Sequence, residues 1–161
     1  MDTRDKGALW LFKKDWSFDS KPSIDDFESY AKALMICAKG DGVIAPAERE
    51  WIVGYFAAFG CTDRLAETLE KYEANDTFEA VLSNSDAARA CSRGIVHDAI
   101  RACSADGELQ EGELASIRTM NRLLGHPDEL VDEWVEFHRN EARMRTQRAE
   151  MIWPDPKDKP F

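Results

Sequence analysis

The sequence predicts an all-α domain built on two helix–loop–helix repeats. Three observations carry that prediction. Residues 37–60, CAKGDGVIAPAEREWIVGYFAAFG, return 65 positions later as residues 102–125, ACSADGELQEGELASIRTMNRLLG. Apolar residues recur with helical spacing along nearly the whole chain. No run alternates apolar and polar residues between turn signals, as a half-buried strand would.

The elements follow in order. Residues 1–22 hold an aromatic patch of Leu9, Trp10, Phe12, Trp16 and Phe18, which reads either as a short helix laid over the bundle or as an arm docked by its rings. Ile24, Phe27, Ala31, Leu34 and Ala38 share one face of a first long helix. Ser23 is placed to cap it, with Asp26 reaching back from N3. Gly40-Asp41-Gly42 breaks it. Pro46 suits the first position of the next helix. Its inward face is Trp51, Ile52, Tyr55, Phe56 and Phe59, and Gly60 is the left-handed stop. A shorter helix capped by Thr62 presents Leu65, Leu69 and Tyr72. Asn75-Asp76 is a turn, and Phe78, Val81 and Leu82 start another short helix.

The second unit opens with Ser85 as cap. Ala88, Cys91, Ile95, Ala99 and Cys103 mark one face of a single helix that ends at Ala105-Asp106-Gly107. Its partner runs from about Glu111 to Leu124 with Leu114, Ile117, Leu123 and Leu124 inward, and Gly125 stops it. Pro127 begins a last helix with Leu130, Val131, Trp134 and Val135 as its stripe. The repeats thus occupy about residues 24–60 and 86–125 within a helical domain of residues 23–138. Residues 139–150 hold four arginines and two glutamates, a basic extension of the last helix, and the Pro-rich PDPKDKPF has the composition of a mobile end.

The chain has 161 residues, is 43% hydrophobic and 32% charged, and carries a formal net charge of −10. That is enough for one globular core. The acidic balance argues against a nucleic-acid or anionic-membrane surface, which needs basic stripes. It suits cations and basic partners, and it also keeps a protein soluble. The apolar cluster Ala8–Phe12 is too short for a signal peptide, and Trp51–Phe59 is far short of the ~20 residues of a membrane span. Cys37, Cys61, Cys91 and Cys103 form no CxxC spacing and read as reduced core residues of a cytoplasmic protein.

The chemistry lies in the repeated Asp-Gly-x-(Ile/Leu)-x-x-x-Glu. A calcium hand needs ~12 residues with oxygen ligands at alternating early positions. Asp41 to Glu48 and Asp106 to Glu113 span eight, and the first loop has no side-chain oxygen between its two acids. Neither loop is an EF-hand. Two readings remain open. In one, Asp-Gly is a turn dipeptide, and Glu48 and Glu113, near N3, bond the free N–H groups of the helix start. In the other, a pseudo-twofold axis brings Asp41, Glu48, Asp106 and Glu113 together, and a cation relieves their repulsion. All-oxygen ligands favour calcium, magnesium or manganese. His97 and Asp98, about two turns before Asp106, are second-tier ligands whose inclusion would favour zinc. A histidine beside an acid also serves simply as its hydrogen-bond partner.

AKGDGVIAPAEREWI and CSADGELQEGELASI resemble the twin signatures of the TerB-like tellurite-resistance family, over about residues 24–138. The resemblance implies a compact bundle of about seven to nine helices and a cytoplasmic, stress-related role. It implies acidic loops as metal sites and related domains that serve as interaction units. The family motif lands on Asp41, Gly42, Glu48, Asp106, Gly107 and Glu113. Gly40 stands where the motif usually has Ala, and Gly112 weakens the first turn of its helix by roughly 0.5–1 kcal/mol relative to Ala. Ala45 and Gln110 are poor caps, which raises the structural value of Glu48 and Glu113.

No Gly-rich phosphate loop, nucleophile elbow or HExxH is present. The functional expectation is therefore a non-enzymatic stress protein that binds a divalent cation (Ca, Mg, Mn or Zn) through the acidic loops, with no organic cofactor. The alternative is a metal-free protein-interaction module with unidentified protein partners, whose functional surface is a groove of the bundle or the basic C-terminal helix; the basic segment 139–150 also suits contact with the acidic surface of a second copy, as in a homodimer. Neither nucleic acid nor membrane insertion is expected.

Overall fold

The computed structural model describes all of residues 1–161. Nine α-helices and no strand make up the chain: α1 (Thr3–Leu11), α2 (Ile24–Ala38), α3 (Pro46–Ala58), α4 (Asp63–Lys71), α5 (Phe78–Leu82), α6 (Asp86–Ala90), α7 (Ser92–Cys103), α8 (Glu111–Leu123) and α9 (Glu129–Ile152). The N-terminal patch is helical. A π-turn, Phe12–Trp16, follows α1 and aims Phe12 into the core against Phe59 (ring centroids 4.6 Å apart) and Phe27 (5.9 Å). Ser23 and Asp26 form the expected reciprocal cap on α2.

α2 is the central rod. It touches α3, α4, α5, α6, α7 and α8. Small residues at Ala31, Ala33 and Ala38, all fully buried, let neighbours approach it from every side. Ile24, read as inward, lies at the exposed start of the helix.

One boundary and one buried face differ from the sequence reading. The helix expected over residues 86–103 is broken at Cys91, which takes φ −87°, ψ 22°. Its two halves answer to different partners. The Ser85 hydroxyl that caps α6 also bonds Asp26 at the start of α2. α7 meets Trp16, whose ring rests where Gly94 has no side chain; a Cβ there would lie 2.6 Å from the indole. On α8, Leu123 faces solvent while Met120 and Asn121 are buried, because Asn121 bonds the carbonyls of His126 and Pro127 and holds the turn into α9.

α9 packs its first half on α7 and α8. His97 of α7 stacks on Trp134 at 4.4 Å. Beyond Ala142 the helix continues for about ten residues, nearly all exposed, so the basic segment is an unbroken extension of it. No helix is long and apolar enough to cross a membrane.

Candidate paired-loop site

The two Asp-Gly loops are near copies. Asp41 Oδ1 accepts the N–H of Val43 at 3.1 Å, and Asp106 Oδ1 accepts that of Glu108 at 3.2 Å. Gly42 and Gly107 both sit at φ 103°, where a side chain would be strained. Glu48 Oε2 accepts the Ala45 N–H at 2.8 Å, and Glu113 Oε2 accepts the Gln110 N–H at 2.8 Å. Each glutamate thus caps a helix whose N-cap side chain makes no capping hydrogen bond of its own.

The loops meet across the bundle. Gly40 lies on the first turn of α8: a Cβ on it would fall 2.4 Å from the Gly112 carbonyl oxygen, and one on Gly112 would fall 2.6 Å from the Gly40 oxygen. The two glycines are therefore a matched close approach of one repeat's loop to the other repeat's helix. Shifting by 65 gives the symmetric pair Ala105 and Ala47. Both line one open cavity beside Trp51, so the second crossing is wider.

This crossing forces the glutamates together. Glu48 is 0% and Glu113 1% exposed, although both are carboxylates at helix starts. Oε1 of Glu48 is fully buried and has no hydrogen-bond donor. The group beside it is the Glu113 carboxyl. Two carboxylate acceptors become bonded only when one carries a proton. Burial, and then Glu113, push Glu48 up from 4.5 to about 8, against the restraining Ala45 N–H; Asp106 adds to the rise. Burial beside a second carboxyl thus favours the protonated form of Glu48.

Of the four expected acids, the two glutamates are brought together with Asp106 within electrostatic reach. Asp41 and Asp106 are exposed and turned to their own loops. No group of three or more His, Cys, Asp or Glu side chains is arranged to hold a metal ion. A hard dication takes six or more oxygens. Here two carboxyls are in place, each with one oxygen committed to a helix cap, and water and main-chain carbonyls would have to complete the shell.

His97 and Asp98 stand apart and have other partners. His97 Nε2 meets Glu141 Oε2 at 3.1 Å, and burial lowers its pKa. Asp98, 1% exposed, accepts the hydroxyls of Tyr30 (2.8 Å) and Tyr55 (3.0 Å) and the Arg101 guanidinium (3.1 Å). Burial raises its pKa, while Arg101 and the Tyr30 hydroxyl hold it down. Trp16 donates to Tyr55 at 3.1 Å, and Arg101 lies over the Trp51 and Tyr55 rings. This network ties the N-terminal turn, α2, α3 and α7 together. Periodicity alone placed Tyr55 on an apolar face. The signal that could have marked the network is an acid, Asp98, inside an otherwise apolar helix face, which when buried must find donors.

A cavity of about 470 Å³ opens beside this network, lined by Phe12, Trp16, Phe27, Tyr30, Phe56 and Cys91 among others. The four main cavities are lined by none of Asp41, Glu48, Asp106 and Glu113.

No protein-family model and no curated protein matches the sequence. Among solved structures, the crystal structure of a tellurite resistance protein from Nostoc punctiforme is similar over the full length. It is 35% identical, its TM-score is 0.91, and the match covers 100% of this chain and 99% of that one.

Proposed function

The chain belongs to the TerB-like tellurite-resistance family, and on that premise we propose that it is a non-enzymatic, stress-related protein whose paired loops hold one exchangeable cation. The observation that carries this reading is the buried, donorless Oε1 of Glu48 beside Glu113. Such a pair needs one positive charge between its members. A proton supplies it at neutral pH, and a divalent cation competes for the same place. Glu48 and Glu113 are the residues that would hold the ion, with Asp106 within electrostatic reach of them. What it would supply there is charge neutralisation at the contact between the repeats. The motif would then be duplicated because each repeat provides one half of the site.

A non-catalytic role is supported by the burial of the glutamate pair, neither member of which lines any of the four main cavities.

The test is calorimetric titration with Ca²⁺, Mn²⁺ and Zn²⁺ of the wild type and of the Glu48→Gln and Asp106→Asn variants. The expected result is binding that releases a proton, tightens as the pH rises toward 8, and weakens at least tenfold in Glu48→Gln. Identical binding by wild type and Glu48→Gln would place any ion elsewhere and remove the reading. A second reading, the metal-free interaction module, is favoured by the lack of a third ligand in position. Wild-type protein that takes up no ion in the same titration would select it.

A further inference from the structure

The end of α9 is the largest feature that neither the repeats nor the glutamate pair uses. Trp134, Phe137, Glu141, Met144, Arg148 and Met151 follow one another at steps of three and four residues, the spacing of a coiled-coil seam. The upper part of that seam is covered: Trp134 stacks on His97, and Phe137 meets both rings edge-on. The same seam then runs past the end of the body with nothing against it. Phe137 is 48%, Met144 69% and Met151 76% exposed, and Ile152 beside them 56%. Met144 and Met151, seven apart, continue the half-exposed Phe137 onto a free helical face and make it an unfilled packing surface.

We propose that this seam pairs antiparallel with the same seam of a second copy, placing Met144 near the twofold axis. Charge selects both the occupant and the direction. Residues 1–138 sum to −12 and residues 139–150 to +2. A parallel pair would set Glu141 beside Glu141 and Arg148 beside Arg148, and would put two strongly acidic bodies at one end. Reversing one helix runs Glu141 of each copy alongside Arg148 of the other. It also separates the bodies and points the arginines of each arm, Arg145 and Arg148, toward the acidic body of its partner. The surface is self-complementary, as a twofold interface requires. Two helical segments of about 22 Å place it at the small end of specific interfaces, near 1,200 Å², so the dimer is expected to dissociate on dilution into the micromolar range. The pairing is independent of any ion at the glutamates.

Light scattering coupled to gel filtration, over a concentration series, tests it. The wild type should approach twice the 18.3 kDa chain mass, and Met144→Glu should stay at the single-chain mass with unchanged helical circular dichroism. Orientation is read by oxidation of single introduced cysteines, with the linked peptides identified by mass spectrometry. Met144→Cys should cross-link, whereas Met151→Cys, roughly 20 Å from its counterpart in the antiparallel pair, should not. A wild type that stays at 18.3 kDa at every concentration overturns the proposal, as does a dimer indifferent to Met144→Glu. Equal cross-linking at both positions overturns the antiparallel pairing.

Discussion

Replacing Glu48 with Gln should change how the protein's stability responds to pH. In the unfolded chain this carboxyl titrates near 4.5, and in the fold at about 8. The folded state therefore binds more protons than the unfolded state between those values, and stability falls as pH rises through that window. The contribution is fully present below 4.5 and lost above 8. Each tenfold in proton affinity is ~1.4 kcal/mol, so the ceiling is roughly 5 kcal/mol. Between about pH 6 and pH 9 the wild type should lose a few kcal/mol, roughly 2–3, from this group alone. Gln keeps an oxygen for the Ala45 N–H and offers a permanent N–H donor to Glu113, so the variant should lose little over the same range and be the more stable protein at about pH 9. Urea unfolding at the two pH values, in chelator, gives both curves, and unchanged m values would certify a like-for-like comparison. If wild type and Glu48→Gln decline in parallel, the buried glutamates do not share a proton and the reasoning fails.

Two further outcomes follow from particular contacts. Gly40→Ala should cost about 1–3 kcal/mol, since its Cβ must displace the Gly112 backbone. Gly54→Ala, on α3 with open space around it, should instead gain about 0.5–1 kcal/mol; thermal melts of both would expose any error in the assignment of the close crossing. Asp98→Asn turns an acceptor of three hydrogen bonds into a group that must present N–H to donors. It should destabilise by about 2–4 kcal/mol and loosen the N-terminal turn, visible as a change in Trp16 emission, and a silent substitution would mean the network is dispensable.

The glycines show why local sequence stops short of the site. Read along the chain, Gly112 is a weakness in the first turn of α8, and Gly40 a departure from the usual alanine. Across the bundle they are one contact, and that contact buries Glu48 and Glu113. Read along the chain, each glutamate is a helix cap, and the structure keeps both caps at 2.8 Å. The cap was legible because it is a relation between residues three apart. The pairing was not, because it joins residues 65 apart through the angle at which two helices cross.

What the sequence determined by itself is the class and the duplication. Helical periodicity, Ser23, Pro46 and Thr62 at helix starts, and matched glycines at φ 103° act within a few residues of one another. Local geometry of that kind is written in order along the chain. What the tertiary structure decided is which of these residues are buried together. It broke the predicted helix at Cys91 to satisfy two anchors, turned Leu123 outward, and assigned Asp98 to two tyrosines and an arginine. It also drew two glutamates from separate repeats into a shared, buried contact. Burial sets their chemistry, and burial depends on packing between segments distant in sequence, which no local pattern encodes.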